Sequence, residues 1–192
     1  MRAHLLVLSL ALFQATAVRA QWTPELAHEL SVSAALGAGW YQWAVHQYPT
    51  GAVDSSMYGM DATFGISARW GVSTAAPGLA LILALQGDLL SMSDQVERYL
   101  LSDGAGMFGV RIPLWPNYGQ LTLASLFGLA FTNLGVQGPG LTYGACVLYR
   151  LEHYFVETRY QAFAFTMHTA APESERTDVT IHQLLANVGV AL

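Results

Sequence analysis

The sequence predicts an all-β fold: a closed antiparallel transmembrane β-barrel of about eight strands, formed after a cleavable signal peptide has been removed. Three observations predict it. The chain is 53% hydrophobic and only 11% charged, whereas soluble domains carry about 25% charged residues. Apolar residues alternate with small or polar ones over long segments, as in strands with one apolar face. Turn signals separate eight such segments, an even number that suits a closed antiparallel barrel.

Residues 1–20 have the layout of a secretory signal peptide. Arg2 precedes an apolar stretch over residues 5–13, and small residues lead to Ala20. The apolar stretch is too short for a membrane-spanning helix. Gln21 rather than a cysteine follows, so no lipid-anchored amino terminus is indicated. We therefore expect residues 21–192 to form one domain, the barrel.

The charge balance excludes nucleic-acid binding. Removal of the signal peptide takes away two of the eight basic residues and none of the 13 acidic ones, so the formal charge falls from −5 to −7. An acidic chain without a run of basic residues lacks the positive surface that binds the phosphates of nucleic acids. The single cysteine, Cys146, has no partner for an intramolecular disulfide.

An uncharged stretch over residues 112–149 raises the alternative of transmembrane helices. Such a helix needs about 20 predominantly apolar residues. Here turn signals interrupt the stretch at Trp115-Pro116-Asn117, at Asn133 and at Gly138-Pro139-Gly140. The pieces between these signals have the lengths of strands, which favours the barrel.

The eight segments follow one another with the same period of two. In the first, apolar residues occupy the even positions 30–40, and in the second the even positions 58–70, opposite Asp61 and Arg69. The third is the weakest case because both of its faces begin apolar. The remaining apolar stripes occupy alternate positions in residues 79–85, 108–114, 121–129, 141–149, 156–164 and 184–192.

The composition of the two faces indicates which one touches lipid. The polar faces consist largely of Gly, Ala, Ser and Thr with isolated charges, which suits a narrow lumen. The apolar stripes tend to end in aromatic residues, which resemble the interfacial girdles of membrane barrels. A soluble periplasmic barrel with the stripes turned inward around an apolar ligand is the alternative. We expect interfacial aromatics at Trp40, Tyr58, Trp70, Trp115, Tyr143 and Tyr149.

Seven charged residues fall on the faces assigned to the lumen. An eight-stranded barrel is just wide enough to be filled by side chains, and buried charges are costly unless they are paired. We therefore interpret these residues as a structural charge network rather than a proton or ion path, and a diffusion pore is not expected. The seven are Asp61, Arg69, Asp88, Arg111, Arg150, Glu157 and Arg159.

The connections predict the orientation. Short links at residues 71–78, 115–119 and 151–153 alternate with longer, more polar segments at 41–57, 90–102, 132–139 and 166–178. Membrane barrels usually place tight turns on the periplasmic side and long loops outside. Both termini would then be periplasmic, and the four long segments would be extracellular loops.

Three stretches resemble the small bacterial outer-membrane barrels grouped around OmpA, OmpX and the opacity-type surface proteins. They are Gly140-Leu141-Thr142-Tyr143-Gly144, the tight hairpin at residues 150–160, and the last alternating strand. The resemblance implies a monomer in outer-membrane lipid, with lipopolysaccharide or an extracellular ligand as partners of the loops. Family members typically end on phenylalanine, where this chain has Leu192.

The predicted function is a non-catalytic, structural or surface-interaction role carried by the long loops. The alternative is a lipid-modifying enzyme, an acyltransferase or deacylase, because His46, Asp54 and Ser55 weakly resemble the outer-loop residues of a lipid A palmitoyltransferase. The His-x-Ser pair of lipid A deacylases is absent at His153. Neither a metal nor a cofactor is predicted, because the histidines are too scattered for a metal site.

Overall fold

Eight antiparallel strands close into a barrel in the computed structural model, which describes residues 26–47, 52–74, 79–93, 98–114, 118–133, 139–167 and 175–192. Each strand pairs with its neighbour in sequence, and the last pairs with the first. The predicted closed antiparallel fold is confirmed, while the predicted signal peptide lies outside the described residues. The strands are β1 (Leu26–Gln47), β2 (Ala52–Thr74), β3 (Ala80–Ser93), β4 (Arg98–Pro113), β5 (Gln120–Thr132), β6 (Gly140–Leu151), β7 (Tyr154–Met167) and β8 (Glu175–Ala191).

The strands are staggered as well as paired. Following paired residues once around the barrel from Ser31 of β1 leads back to β1 at Tyr41, ten residues further along. Such a stagger accompanies the tilt that closed barrels require. An eight-stranded barrel of this kind encloses a space that side chains alone can fill.

The apolar stripes point outward. Phe64 is 53% exposed, Leu81 49% and Val188 64%, whereas Arg159 on the opposite face is completely buried. A soluble barrel would have the reverse arrangement, with its apolar stripes inside. The exposed apolar band is what contact with acyl chains demands, so the chain is a transmembrane barrel. Within the described residues no helix is long and apolar enough to cross a bilayer.

The two ends of the barrel differ, and we name them by their features. At the turn end, Glu152 and His153 alone link β6 to β7, and Glu152 has a positive φ of 53°. The β2–β3 and β4–β5 connections lie at this end too. At the opposite end, called the sheet end, residues 48–51, 94–97, 133–139 and 168–174 connect the strands.

The expectation of four long loops at the sheet end is wrong for two of them. Residues 41–47 and 52–57, predicted as loop, belong to β1 and β2, with Ala44 opposite Ser55. Strand structure also covers all of the segment 90–102 except residues 94–97. Polar side chains are solvated outside lipid, so a strand can continue there without an apolar stripe. The other two predicted loops keep connections of equal length, at residues 133–139 and 168–174.

The extended strands form what we call the protruding sheet: residues 40–47 of β1, 52–61 of β2 and 175–180 of β8. β1 has 22 residues and β2 has 23, whereas β6 has 12. A tilted strand crosses a bilayer in about 9–11 residues. β1, β2 and β8 therefore project beyond the membrane at the sheet end.

Gly119 at the turn end tests the fold there, and Gly104 in the middle of β4 is its control. Gly119 has a φ of +88°, and a Cβ there would collide with the Arg150 carbonyl oxygen. Gly119→Ala should lower the free energy of unfolding by about 2 kcal/mol or more, since the left-handed backbone alone costs about 1–2 kcal/mol for an L-residue. Urea unfolding in detergent micelles measures the change.

Gly104→Ala is the control, because a Cβ at Gly104 meets nothing within 4 Å. It should change the free energy of unfolding by less than about 0.5 kcal/mol. Equal destabilisation by both substitutions would contradict the geometry of the β4–β5 connection.

Candidate functional site

The centre of the lumen holds a completely buried arginine. Arg159 of β7 makes a two-pronged ion pair with Asp88 of β3, with Nη1 to Oδ2 and Nη2 to Oδ1 both at 3.1 Å. Its Nη2 also donates to Ser67 Oγ at 3.2 Å. The Nη2 contact is a hydrogen bond, whereas Nη1 and Oδ2 attract each other as opposite charges without a hydrogen bond. A hydrogen bond between charged groups is stronger than one between neutral groups. The pair joins two strands on different sides of the barrel.

Glu157 extends this pair into a network. Its Oε2 lies 2.5 Å from Arg69 Nη2, and its Oε1 accepts from Asn187 Nδ2 at 2.9 Å and lies 3.7 Å from Arg159 Nε. Arg69 also donates twice to Gln86 Oε1, at 3.0 and 2.6 Å. Gln86 in turn donates to Asp88 at 2.8 Å. Four of the seven predicted charges are thus brought together: Arg69, Asp88, Glu157 and Arg159.

The other three predicted charges lie apart from this network. Arg111 and Arg150 are at the turn end, where both contact the same Oε2 atom of Glu29, Arg111 Nη2 at 3.0 Å. Arg150 Nε also donates to the Glu152 carbonyl oxygen at 2.7 Å. Asp61 lies in β2 opposite Gly39, eight residues from Arg69 toward the sheet end.

Sequence reasoning missed two acidic members of the lumen, Asp103 and Glu29. Asp103 is buried, accepts from the Asp88 backbone N–H at 3.1 Å and from Gln161 Nε2. The inward positions of β4 continue from Arg111 to Asp103 with period two. That signal was hidden because Gly104 leaves a gap in the outward apolar stripe. The same periodicity, extended back from Ser31, would have found Glu29.

Large apolar side chains fill most of the remaining lumen, which the sequence reading had treated as small or charged. One cluster occupies the half nearer the sheet end, and a second lies on the β3–β6 side below it. Both clusters face the lumen and add apolar packing to the charge network. The first is Ala35, Tyr41, Leu90, Met92, Leu101, Ala130, Phe163, Phe165, Val179, Ile181 and Leu185. The second is Ile82, Ala84, Ala105, Met107, Ala124, Leu126 and Cys146.

Several of the predicted interfacial aromatics lie on the outer surface. Trp70 is 49% exposed near the turn end and stacks on His28, with ring centroids 6.0 Å apart. At the same end, Tyr149 donates its hydroxyl to the Tyr118 carbonyl oxygen at 2.7 Å. These side chains have both an apolar body and a polar tip, which is the chemistry of a membrane–water interface.

A second aromatic group lies toward the sheet end. Trp40 stacks on His182 with ring centroids 5.2 Å apart, and His182 Nδ1 is 2.7 Å from the Tyr160 hydroxyl. Tyr143 is exposed on the neighbouring strand β6. Trp115 and the side chain of Tyr58 lie outside the described residues. No group of three His, Cys, Asp or Glu side chains in the described part of the chain is arranged to hold a metal ion.

The residues of the enzyme alternative fall within strands. In the β1–β2 ladder His46 is opposite Val53, Asp54 is opposite Val45, and Ser55 is opposite Ala44. Their side chains lie outside the described structure. The three positions thus share one hairpin of the protruding sheet rather than an irregular loop.

Comparison with known proteins adds one similarity. No family model matches the sequence, and neither does any curated protein. Among solved structures, the crystal structure of Ail, the attachment invasion locus protein of Yersinia pestis, is similar at 12% sequence identity. The match covers 83% of this chain and 98% of Ail, with a TM-score of 0.39. The closed barrel itself is established by the strand pairing of this chain.

The charge network predicts a large loss of stability when its central arginine is removed. Arg159→Met leaves Asp88 buried without its partner, and breaking a buried pair costs about 3–5 kcal/mol. Adding Asp88→Asn removes the orphaned charge, so the double variant should recover a substantial part of that loss. Urea unfolding of the single and double variants measures the coupling.

Arg150→Met is the matched control, because Glu29 keeps Arg111 as a partner and lies at the partly exposed mouth. Its cost should stay below about 1 kcal/mol, as for exposed ion pairs. If Arg159→Met were as stable as Arg150→Met, the central network would not be what holds the barrel together.

Proposed function

We propose that this chain is a non-catalytic bacterial outer-membrane protein that binds extended segments of extracellular proteins along a free edge of its protruding sheet. The observation that carries the proposal is the end of the β2–β3 ladder. That ladder stops at Ala62 opposite Ser93, whereas β2 continues to Ala52. Among the described strands, residues 52–60 have β1 as their only neighbouring strand.

An unpaired edge is a binding surface for another strand. Along residues 52–60, alternate backbone N–H and C=O groups point away from β1. An added strand from a partner would complete these hydrogen bonds, with main-chain bonds giving affinity and side chains giving selectivity. Natural proteins usually shield long edges because they recruit other chains. A nine-residue edge with no second described strand beside it is therefore suited to a recognition role.

In this proposal the edge lies outside the cell. Closed barrels with an apolar exterior are typical of bacterial outer membranes, where tight turns face the periplasm. The turn end, with its two-residue β6–β7 turn, is then periplasmic, and the protruding sheet is extracellular. The surrounding partner is outer-membrane lipid.

The lumen supports a role without catalysis. Covalent or acid–base chemistry needs a nucleophile or base that a substrate can reach. Here Arg159, Asp88 and Glu157 are buried, and Arg159 forms ion pairs with both carboxylates. These charged groups stabilise the barrel, and we assign the proposed binding activity to the protruding sheet.

Two adjacent proline substitutions test the edge. Amides of adjacent strand residues point to opposite sides, so one of Ser55→Pro and Ser56→Pro removes an N–H from the free edge, and the other removes one from the β1 ladder. Amide hydrogen exchange identifies which is which. The free-edge variant should keep the stability of the barrel and lose binding of extended peptides selected from a displayed library by the wild-type protein.

The ladder variant controls for a general effect of proline. It should be less stable, because a cross-strand hydrogen bond is lost. If the free-edge variant binds the selected peptides as tightly as the wild-type protein, or if no extended peptide is selected, edge recognition is wrong.

A separate test addresses the enzyme alternative. Replacing His46, Asp54 and Ser55 together by alanine should leave the masses of outer-membrane lipids unchanged in cells that express the protein. A change in acyl composition that depends on these three residues would instead establish a lipid-modifying activity.

A further inference from the structure

Two acidic side chains face each other across the β3–β4 ladder in the lumen. Asp88 of β3 is directly opposite Asp103 of β4, and both are buried. Side chains at opposite positions of paired strands lie next to each other, and like charges placed in this way repel. We propose that Asp88 and Asp103 form a proton-binding site, in which the two carboxyl groups hold one proton between them at neutral pH.

Asp103 has only uncharged hydrogen-bond donors. Its Oδ1 accepts from the Asp88 backbone N–H at 3.1 Å, and its Oδ2 accepts from Gln161 Nε2. The ion pairs of the central network in the described lumen use the other two carboxylates, those of Asp88 and Glu157. An ionised carboxylate that is buried without a counter-charge is so costly that the group takes up a proton instead.

The total charge of the central network leads to the same conclusion. The network with Asp103 contains two guanidinium groups and three carboxyl groups: Arg69 and Arg159, and Asp88, Asp103 and Glu157. If all five groups were ionised, the network would carry one net negative charge in a lumen that side chains fill. One bound proton makes the network neutral.

The two carboxyl groups also contact each other. Asp88 and Asp103 lie within hydrogen-bond distance through their side chains. Ionised carboxylates are acceptors only, so this contact is a hydrogen bond only when one of the two groups carries a proton. Asp88 already accepts from Arg159 and from Gln86. The proton is therefore placed on Asp103, from which it is donated to Asp88.

The surroundings of Asp103 favour a proton over a metal ion. The charged side chains that face it are Asp88 on β3 and Arg159 on β7. Its other neighbours are uncharged: Gln161 on β7, whose Nε2 also donates to Thr142 Oγ1 on β6 at 2.9 Å, and Ala130, opposite it on β5. In the described part of the chain no three acidic, histidine or cysteine side chains are arranged as metal ligands. Two carboxyl groups that share a site characteristically retain one proton.

Infrared spectroscopy detects this proton directly. The mature barrel at neutral pH, in a detergent without carbonyl groups, should show the C=O stretching band of a protonated carboxylic acid, which shifts after refolding in D2O. Carboxyl groups in water are ionised at this pH and do not contribute. Asp103→Asn should lose the band. Asp88→Asn should lose it too, because the single carboxyl group that remains then has Arg159 as its counter-charge.

Glu29→Gln is the matched control, because Glu29 contacts two arginines and lies apart from the pair. This variant should keep the band. Asp103→Asn should also keep the urea midpoint of the wild-type protein, since an amide donates to Asp88 as the protonated acid does.

A wild-type spectrum without the band would overturn the proposal, as would a band that persists in Asp103→Asn or disappears in Glu29→Gln. A much lower urea midpoint for Asp103→Asn would also contradict it. The wild-type spectrum and that of Asp88→Asn decide the question if Asp103→Asn does not fold.

Discussion

The structure depends on one electrostatic constraint: a charge that points into this lumen must find its counter-charge there. Eight strands with a ten-residue stagger enclose a space that side chains fill, so bulk water is not available to solvate an ion. Arg159 satisfies the constraint with Asp88 and Glu157, and Glu157 also pairs with Arg69. These contacts cross the lumen between β2, β3 and β7. They therefore fix the shape of the barrel from inside, where lipid contacts on the outer face are non-directional.

The apolar packing above the network has a different consequence. Large side chains such as Phe163, Leu90 and Ile181 are completely buried on the lumen side, so the sheet-end half of the barrel has a core like that of a soluble protein. Buried apolar packing of this kind resists deformation. β1 and β8, which carry the protruding sheet, both contribute to this core through Tyr41, Val179 and Ile181. The protruding sheet is thus supported by a packed apolar core rather than by a water-filled channel.

Period-two patterning predicted most of the fold because it has the same cause as the barrel itself: side chains of a strand alternate between lipid and lumen. Eight strands, their order and the outward stripes followed from it. Patterning could not locate the ends of β1 and β2, since beyond the bilayer neither face has to be apolar and a strand there looks like a loop. It also missed Asp103, because Gly104 interrupts the stripe beside it. Which charges pair depends on the stagger of the strands. The stagger is fixed by closure of the whole barrel and cannot be deduced from any single segment.

The position of the free edge follows from the same membrane physics. Inside the hydrocarbon every backbone group must be paired, so a strand edge cannot be exposed to lipid. Among the described strands, β2 is paired on both sides from Ala62 to Ser73, and residues 52–60 lie beside β1 alone. The last β2–β3 pair, Ala62 with Ser93, therefore marks the level above which the backbone has water as its hydrogen-bond partner. Only above that level is an unpaired edge tolerated, and only there can an incoming strand exchange bonds to water for bonds to β2. The proposed recognition edge therefore depends on the strands that extend past the doubly paired part of the barrel.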